Sequence, residues 1–147
     1  MQPFDPSSNP LNNNEWSFPL LEIIHIASFA LSVGTIAIVD LRLLGLGMRH
    51  QTAAQLVKST MLWTAAGIFL VVISGMLLVT TDPVNYFYNP AFRFKMACLV
   101  AAILYNYTVH LRVAMSRHSA LSEKLAAVLS LALWLSVVFG GIFYAFV

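Results

Sequence analysis

The sequence predicts an all-α integral membrane protein, a single bundle of four transmembrane helices with both termini on the outer side. Of its 147 residues, 59% are hydrophobic and only 10% are charged, a balance far more apolar than that of soluble globular domains. The apolar residues fall into four runs, each close to the ~20 residues that a helix needs to span a bilayer. Because backbone groups cannot stay unpaired in lipid, these runs must be helical. The net charge of +2 is too small and too scattered to suggest nucleic acid, and the apolar composition predicts the lipid bilayer as the partner.

The chain begins with a polar segment, residues 1–16, which is rich in Pro, Asn and Ser and contains no Lys or Arg. A secretory signal starts with positive charge, so this segment is expected to stay attached as a polar tail outside the membrane. The whole chain, residues 1–147, is expected to form one membrane domain. Its predicted helices cover approximately residues 18–41, 60–79, 94–113 and 125–147.

The basic residues predict the orientation of the bundle. Six of the eight Lys and Arg residues follow the first or the third apolar run, and the other two lie between the second and third runs. Loops that carry more Lys and Arg stay in the cytoplasm, so both termini are expected outside. The six residues are Arg42, Arg49, Lys58, Arg112, Arg117 and Lys124.

The first apolar run carries ionisable residues at membrane depth, which are costly there and mark functional sites by default. Glu22 and Asp40 are 18 residues apart and, at 100° per residue, point in the same direction. His25 and several hydroxyl side chains lie on the same half of the helix. We therefore expect a polar face that is turned toward the other helices.

The outer third of the bundle is the predicted cofactor layer. His25 lies about 10 Å deep by helical rise, and thioethers and glycines from the other runs fall at a similar level. A His with an axial Met is a haem-iron ligand pair, and the same soft ligands suit copper. The glycines would leave room for a macrocycle, and the nearby carboxylate would orient the imidazole. The predicted cofactor-binding residues, for haem b or alternatively copper, are His25, Glu22, Met76, Met96, Gly75 and Gly140.

A packing interpretation of the same layer remains open. Glycines commonly allow close approach of membrane helices, and a buried His often only bridges helices through a hydrogen bond. His25 is the predicted metal ligand under the cofactor interpretation. His110 lies roughly 15 Å or more further toward the inner side by helical rise, so the two imidazoles cannot share one metal.

A second candidate site is an intramembrane charge network at the inner side, formed by Asp40, Arg42 and His110. One interpretation is an ion pair at the membrane interface, with the Arg42 side chain extending to the headgroups. The other is that Asp40 reaches across to the third run, where His110 and Arg112 are the available partners.

Several motifs identify a resemblance that covers nearly the whole chain. The chain resembles an uncharacterised bacterial family of four-helix inner-membrane proteins, a domain of unknown function, and its layout is more weakly similar to haem b cytochromes and copper-resistance membrane domains. The resemblance implies a multi-pass protein of the bacterial inner membrane and no established activity. It rests on Glu22-x-x-His25, the run Val39–Gly45, the pair Ser74-Gly75 and the run Asn89–Lys95.

Two functions of different classes are compatible with these features. The first is a redox module with haem b or copper at His25, acting within a membrane electron-transfer complex. The second is a non-catalytic accessory or assembly subunit, whose small-residue faces dock onto other membrane subunits or a second copy.

Overall fold

The computed structural model describes residues 5–48, 50–116 and 118–146, all in helices and their connections. Arg49, Arg117, the start of the predicted tail and the last residue of the fourth predicted helix lie outside the described residues. The α-helices are α1 (Ser17–Leu43), α2 (Ala53–Thr81), α3 (Pro83–Tyr88), α4 (Pro90–Tyr105), α5 (Leu111–Met115) and α6 (Ala120–Phe143), and a π-helical turn, Asn106–His110, joins α4 to α5.

Four helical segments are long and apolar enough to cross a membrane, which confirms the predicted fold class. They are α1, α2, the continuous segment Pro90–Met115 and α6. We call Pro90–Met115, which contains α4, the π-helical turn and α5, the third span. The short helix α3 lies in the connection between α2 and the third span.

The second and third helices begin earlier than their apolar runs because polar caps precede them. The Thr52 side chain accepts a hydrogen bond from the Gln55 amide, and the Gln55 side chain reaches back to the Thr52 amide, which is a capping box. Asn89 caps the third span through the amides of Ala91 and Phe92. The helices therefore extend past the hydrocarbon-length runs into the interface.

The described ends of the chain meet at one end of the bundle. The Asn9 and Asn12 side chains donate hydrogen bonds of 2.7 and 3.0 Å to the carbonyls of Thr80 and Thr81, where α2 ends. Tyr86 of α3 stacks on Tyr144, which follows α6, with ring centroids 4.8 Å apart. Burial, reinforced by Tyr144, raises the pKa of the Tyr86 phenol above its ordinary value. This end is the outer side in the predicted orientation.

The bundle consists of two tight pairs, α1 with α2 and the third span with α6, which pack against each other. The closest approach within the first pair is at Gly67, where a Cβ atom would lie 2.9 Å from the Ser28 carbonyl oxygen and 3.0 Å from the Ser32 Cβ. The buried Trp134 of α6 lies in the central core with Ile36 and Ala102. This packing places the polar residues Ser28 and Ser32 of α1 directly against α2.

Candidate functional site

The inner end of the bundle contains a buried polar cluster that joins three spans. The Nε2 atom of His110 lies 2.6 Å from Oδ1 of Asp40, and the Ser130 hydroxyl donates to Oδ2 of Asp40 at 2.8 Å. The three side chains are at most 2% exposed. The structure thus places Asp40 and His110 together, through the second of the two pairings that the sequence left open.

The two contacts define the hydrogen-bond partners of the Asp40 carboxylate. An ionised carboxylate only accepts, so Asp40 receives hydrogens from Ser130 and from His110 Nε2. The short contact to His110 is typical of a charge-assisted bond. The other ring nitrogen of His110 is Nδ1. That Nδ1 is buried and has no hydrogen-bond partner among the described residues.

The π-helical turn explains how the third span aims two polar residues at the core. The buried positions Ala102, Asn106, His110 and Ala114 recur every four residues. In a regular α-helix each four-residue step falls about 40° past a whole turn, so three steps would drift about 120° around the helix. The wider π turn takes up one extra residue and keeps the four positions in line. Such turns occur frequently at functional sites.

A cleft of about 230 Å³ adjoins this cluster between α1, α2 and the third span. Its walls are mainly apolar, and Asn106 and His110 contribute polar groups to it. Asn106 is only 3% exposed, and His110 Nδ1 is the one side-chain nitrogen or oxygen atom of the described residues that is fully buried without a hydrogen-bond partner.

Arg42 does not share the Asp40 cluster. Its Nε donates to the Gln51 carbonyl at 2.5 Å, which ties the end of α1 to the connection before α2. The second hydrogen-bond partner of Asp40 is the Ser130 hydroxyl and not the side chain of Arg42. Sequence reasoning missed Ser130, although a serine within the apolar run of α6 is a usable signal.

At the outer end, His25 is held by α2. Its Nδ1 lies 2.9 Å from the Ser74 hydroxyl oxygen, and Ser74 itself donates to the Leu70 carbonyl at 2.7 Å. With the Ser74 hydrogen on the Leu70 carbonyl, Nδ1 of His25 would donate to Ser74, and Nε2 would carry the lone pair. His25 is half-buried, and its contact with Ser74 is made through Nδ1.

Of the other predicted cofactor residues, Gly75 lies against His25. A Cβ atom at Gly75 would lie 3.0 Å from Cε1 of the imidazole, so the glycine makes room for the ring itself. Met76 and Met96 are 66% and 39% exposed on the outside of the bundle. Glu22 is also exposed, and no hydrogen bond joins it to His25 among the described residues.

Gly140 serves a neighbouring contact. A Cβ atom there would lie 2.9 Å from Cβ of Lys95, so the glycine admits the third span. Packing thus accounts for Gly75 and Gly140 without a macrocycle between the helices. The Lys95 ammonium lies near Gly141 and makes no ion pair within the described residues. Among residues 5–48, 50–116 and 118–146, no group of three or more His, Cys, Asp or Glu side chains is placed to hold a metal.

These features define a polytopic membrane protein, a four-helix bundle with one polar site at each end of α1. The sequence model of DUF6644, a family of unknown function, matches residues 19–147, and the chain belongs to that family. This confirms the resemblance to an uncharacterised four-helix membrane family, whereas the likeness to haem b cytochromes and copper-resistance domains receives no support. No curated protein and no solved structure matches the chain.

Proposed function

We propose that the protein is a small redox module of the bacterial inner membrane, in which His25 is a ligand of haem b or copper. The observation that carries the proposal is the contact between His25 Nδ1 and Ser74, because donation from Nδ1 to Ser74 would leave Nε2 available to a metal. Metal-ligating histidines almost always donate their other ring N–H to a partner in this way. A haem or copper ion bound there would supply a one-electron carrier.

The proposal includes a partner protein, because Met76 and Met96 do not supply His25 with a further metal ligand. Met76 and Met96 point out of the bundle, so a further ligand comes from another membrane subunit or from a second copy of this chain. The half-buried position of His25 suits a cofactor shared at such an interface. The module would then act as a subunit of an electron-transfer complex.

Lys95 favours haem b over copper within this proposal. A lysine side chain in the outer part of the bundle, without an ion-pair partner among the described residues, suits a negatively charged group. Haem b carries two propionate groups, and Lys95 would bind one of them at the outer end. Copper ions carry no such group.

The test is the absorption spectrum and metal content of the full chain, purified from bacterial membranes in a mild detergent. We expect a haem spectrum that sharpens on reduction, and its loss in His25→Ala. His118→Ala is the control, since His118 is an exposed histidine outside the four spans. Ser74→Ala should weaken retention about 10–100-fold, the usual effect of losing a partner of a metal-bound histidine.

Two results would overturn the redox proposal. One is wild-type protein that contains neither haem nor copper when the cells are supplied with both. The other is an equal cofactor content in His25→Ala and wild type. Either result would favour the accessory-subunit function, for which co-purifying membrane subunits would be the next observation.

A further inference from the structure

We infer that the inner end of the bundle binds a phospholipid with a phosphoethanolamine headgroup, in a cleft where the ends of α1 and α5 meet the starts of α2 and α6. This cleft has a volume of about 360 Å³. Arg42 and Glu123 bring opposite charges to its wall, and Thr52 adds a hydroxyl group. A phosphate suits the arginine, and a primary ammonium suits the glutamate. The inference is independent of a cofactor at His25, which lies near the other end of α1.

The two charges of this cleft are not neutralised by each other. Within the described part of the chain, the only ion pair is the one between Asp40 and His110. Arg42 and Glu123 are nevertheless half-buried. A half-buried charge has lost part of its hydration, so each of the two side chains is stabilised by a ligand group of opposite charge.

Each charge lies at the helix end that favours its sign. Arg42 is in the last turn of α1 and Glu123 is in the first turn of α6. The helix dipoles account for these positions along the sequence, but not for the meeting of both side chains at one cleft. The guanidinium has five N–H donors, and the one on Nε bonds to the Gln51 carbonyl. A phosphate would be bound by the donors on the two Nη atoms, in the usual arginine–phosphate geometry.

The surroundings of the cleft favour a lipid over a soluble compound. Leu43 and Ala114, which are each 5% exposed, line the cleft beside the charged residues. Met115 borders this cleft and also the apolar cleft of about 230 Å³ between α1, α2 and the third span. A lipid with its phosphate at Arg42 could therefore place an acyl chain in the apolar cleft, which lies further toward the membrane centre. A free headgroup compound would make no contact there.

The Glu123 carboxylate distinguishes between headgroups. A primary ammonium donates hydrogen bonds to a carboxylate, whereas a choline group has no N–H donor. A glycerol headgroup carries no positive charge and leaves the carboxylate without a counterion. We therefore expect phosphatidylethanolamine to bind more tightly than phosphatidylcholine or phosphatidylglycerol.

The experiment measures lipid binding to the full-length protein by native mass spectrometry, in a mild detergent with equal amounts of the three phospholipids. Glu123→Gln removes the charge that selects the ammonium group. Glu15→Gln is its matched control, because Glu15 is an exposed carboxylate before α1. Arg42→Gln removes the partner of the phosphate. Lys124→Gln is the second control, since Lys124 is an exposed cation of α6 that does not line the cleft.

The inference predicts a preference for phosphatidylethanolamine in wild type and in both control variants. Glu123→Gln should lower the affinity for this lipid about 10-fold, the low end for a lost hydrogen bond to a charged group, because the cleft is partly open. The same variant should still bind phosphatidylglycerol, which shows that it is folded. Arg42→Gln should weaken the binding of all three lipids, since each of them carries a phosphate.

Two further arms separate a lipid from a free headgroup compound. Glycerophosphoethanolamine has the headgroup without acyl chains and should not displace the lipid at equal concentration. Ala65→Phe, which fills the apolar cleft at an exposed position, should weaken lipid binding more than Ala101→Phe on an exposed site of α4 away from it. His25→Ala should bind normally, so failure of the cofactor proposal leaves the result intact. Equal binding of the three lipids to wild type, an unchanged preference in Glu123→Gln, or displacement by the free headgroup compound would overturn the inference.

Discussion

Loss of the His110 side chain is the sharpest stability test of the buried cluster. His110→Ala leaves the Asp40 carboxylate with Ser130 as its one described partner, at a position with 0% exposure. Removing one member of a buried ion pair costs about 3–5 kcal/mol, because the other charge stays buried. An ordinary interhelical hydrogen bond in a membrane protein contributes only about 0.6 kcal/mol. The two values differ enough to decide which description of the cluster is right.

Ser130→Ala is the matched control. It removes a hydrogen bond to the same carboxylate, but the His110 pair stays in place, so the expected cost is about 0.6 kcal/mol. His110→Gln should recover part of the His110→Ala loss, since its amide can donate to Asp40. The measurement is reversible unfolding in mixed micelles with increasing SDS, followed by the fluorescence of the buried Trp134. If His110→Ala costs no more than Ser130→Ala, Asp40 and His110 do not form a buried ion pair.

The remaining predictions concern packing, pH and orientation. Gly67→Ala should be about 1–3 kcal/mol less stable than Gly34→Ala in the same unfolding assay. The added methyl group at Gly67 meets α1, whereas no atom lies within 4 Å of the Cβ position of Gly34. Equal stabilities of the two variants would contradict the close α1–α2 crossing. The free energy of unfolding should fall as the pH rises above about 10, because the raised pKa of Tyr86 means that its neutral form favours folding. Tyr86→Phe should reduce this loss of stability. An unchanged pH profile in Tyr86→Phe would refute the role of Tyr86. The orientation is tested with Gln51→Cys in a protein that also carries Cys98→Ala. The new cysteine should react with an impermeant maleimide only after the inner side of the membrane is exposed. Labelling in intact cells would show that the predicted orientation is wrong.

The apolar runs predicted the four spans because length and hydropathy are properties of the sequence alone. The helix starts were less predictable, since capping residues such as Thr52 and Asn89 are polar and lie beyond the runs. The buried Asp40 also followed from the sequence, because a lone carboxylate in a membrane helix must turn toward protein. Glu22 lies on the same side of α1 and is nevertheless exposed. Periodicity gives the direction of a side chain, but the heights of the neighbouring helices decide whether it is covered.

The outer layer shows the limit of arguing from depth alone. Met76 was expected beside His25 because both lie at one level, yet Ser74 is the residue of α2 that meets the imidazole. Two residues further along a helix is a rotation of about 200°, so Met76 must face away from α1. Depth and rotation together would have given this result. The π-helical turn at Asn106 and His110 was harder to foresee, because regular periodicity does not contain it.

The central claim is that His25 holds a redox cofactor, and the most direct measurement is the haem and copper content per chain of wild-type, His25→Ala and His118→Ala proteins. The account predicts a fixed ratio of cofactor to chain in wild type and in His118→Ala, and no cofactor in correctly inserted His25→Ala. A wild-type protein without haem or copper, or a His25→Ala protein with the full content, would contradict it.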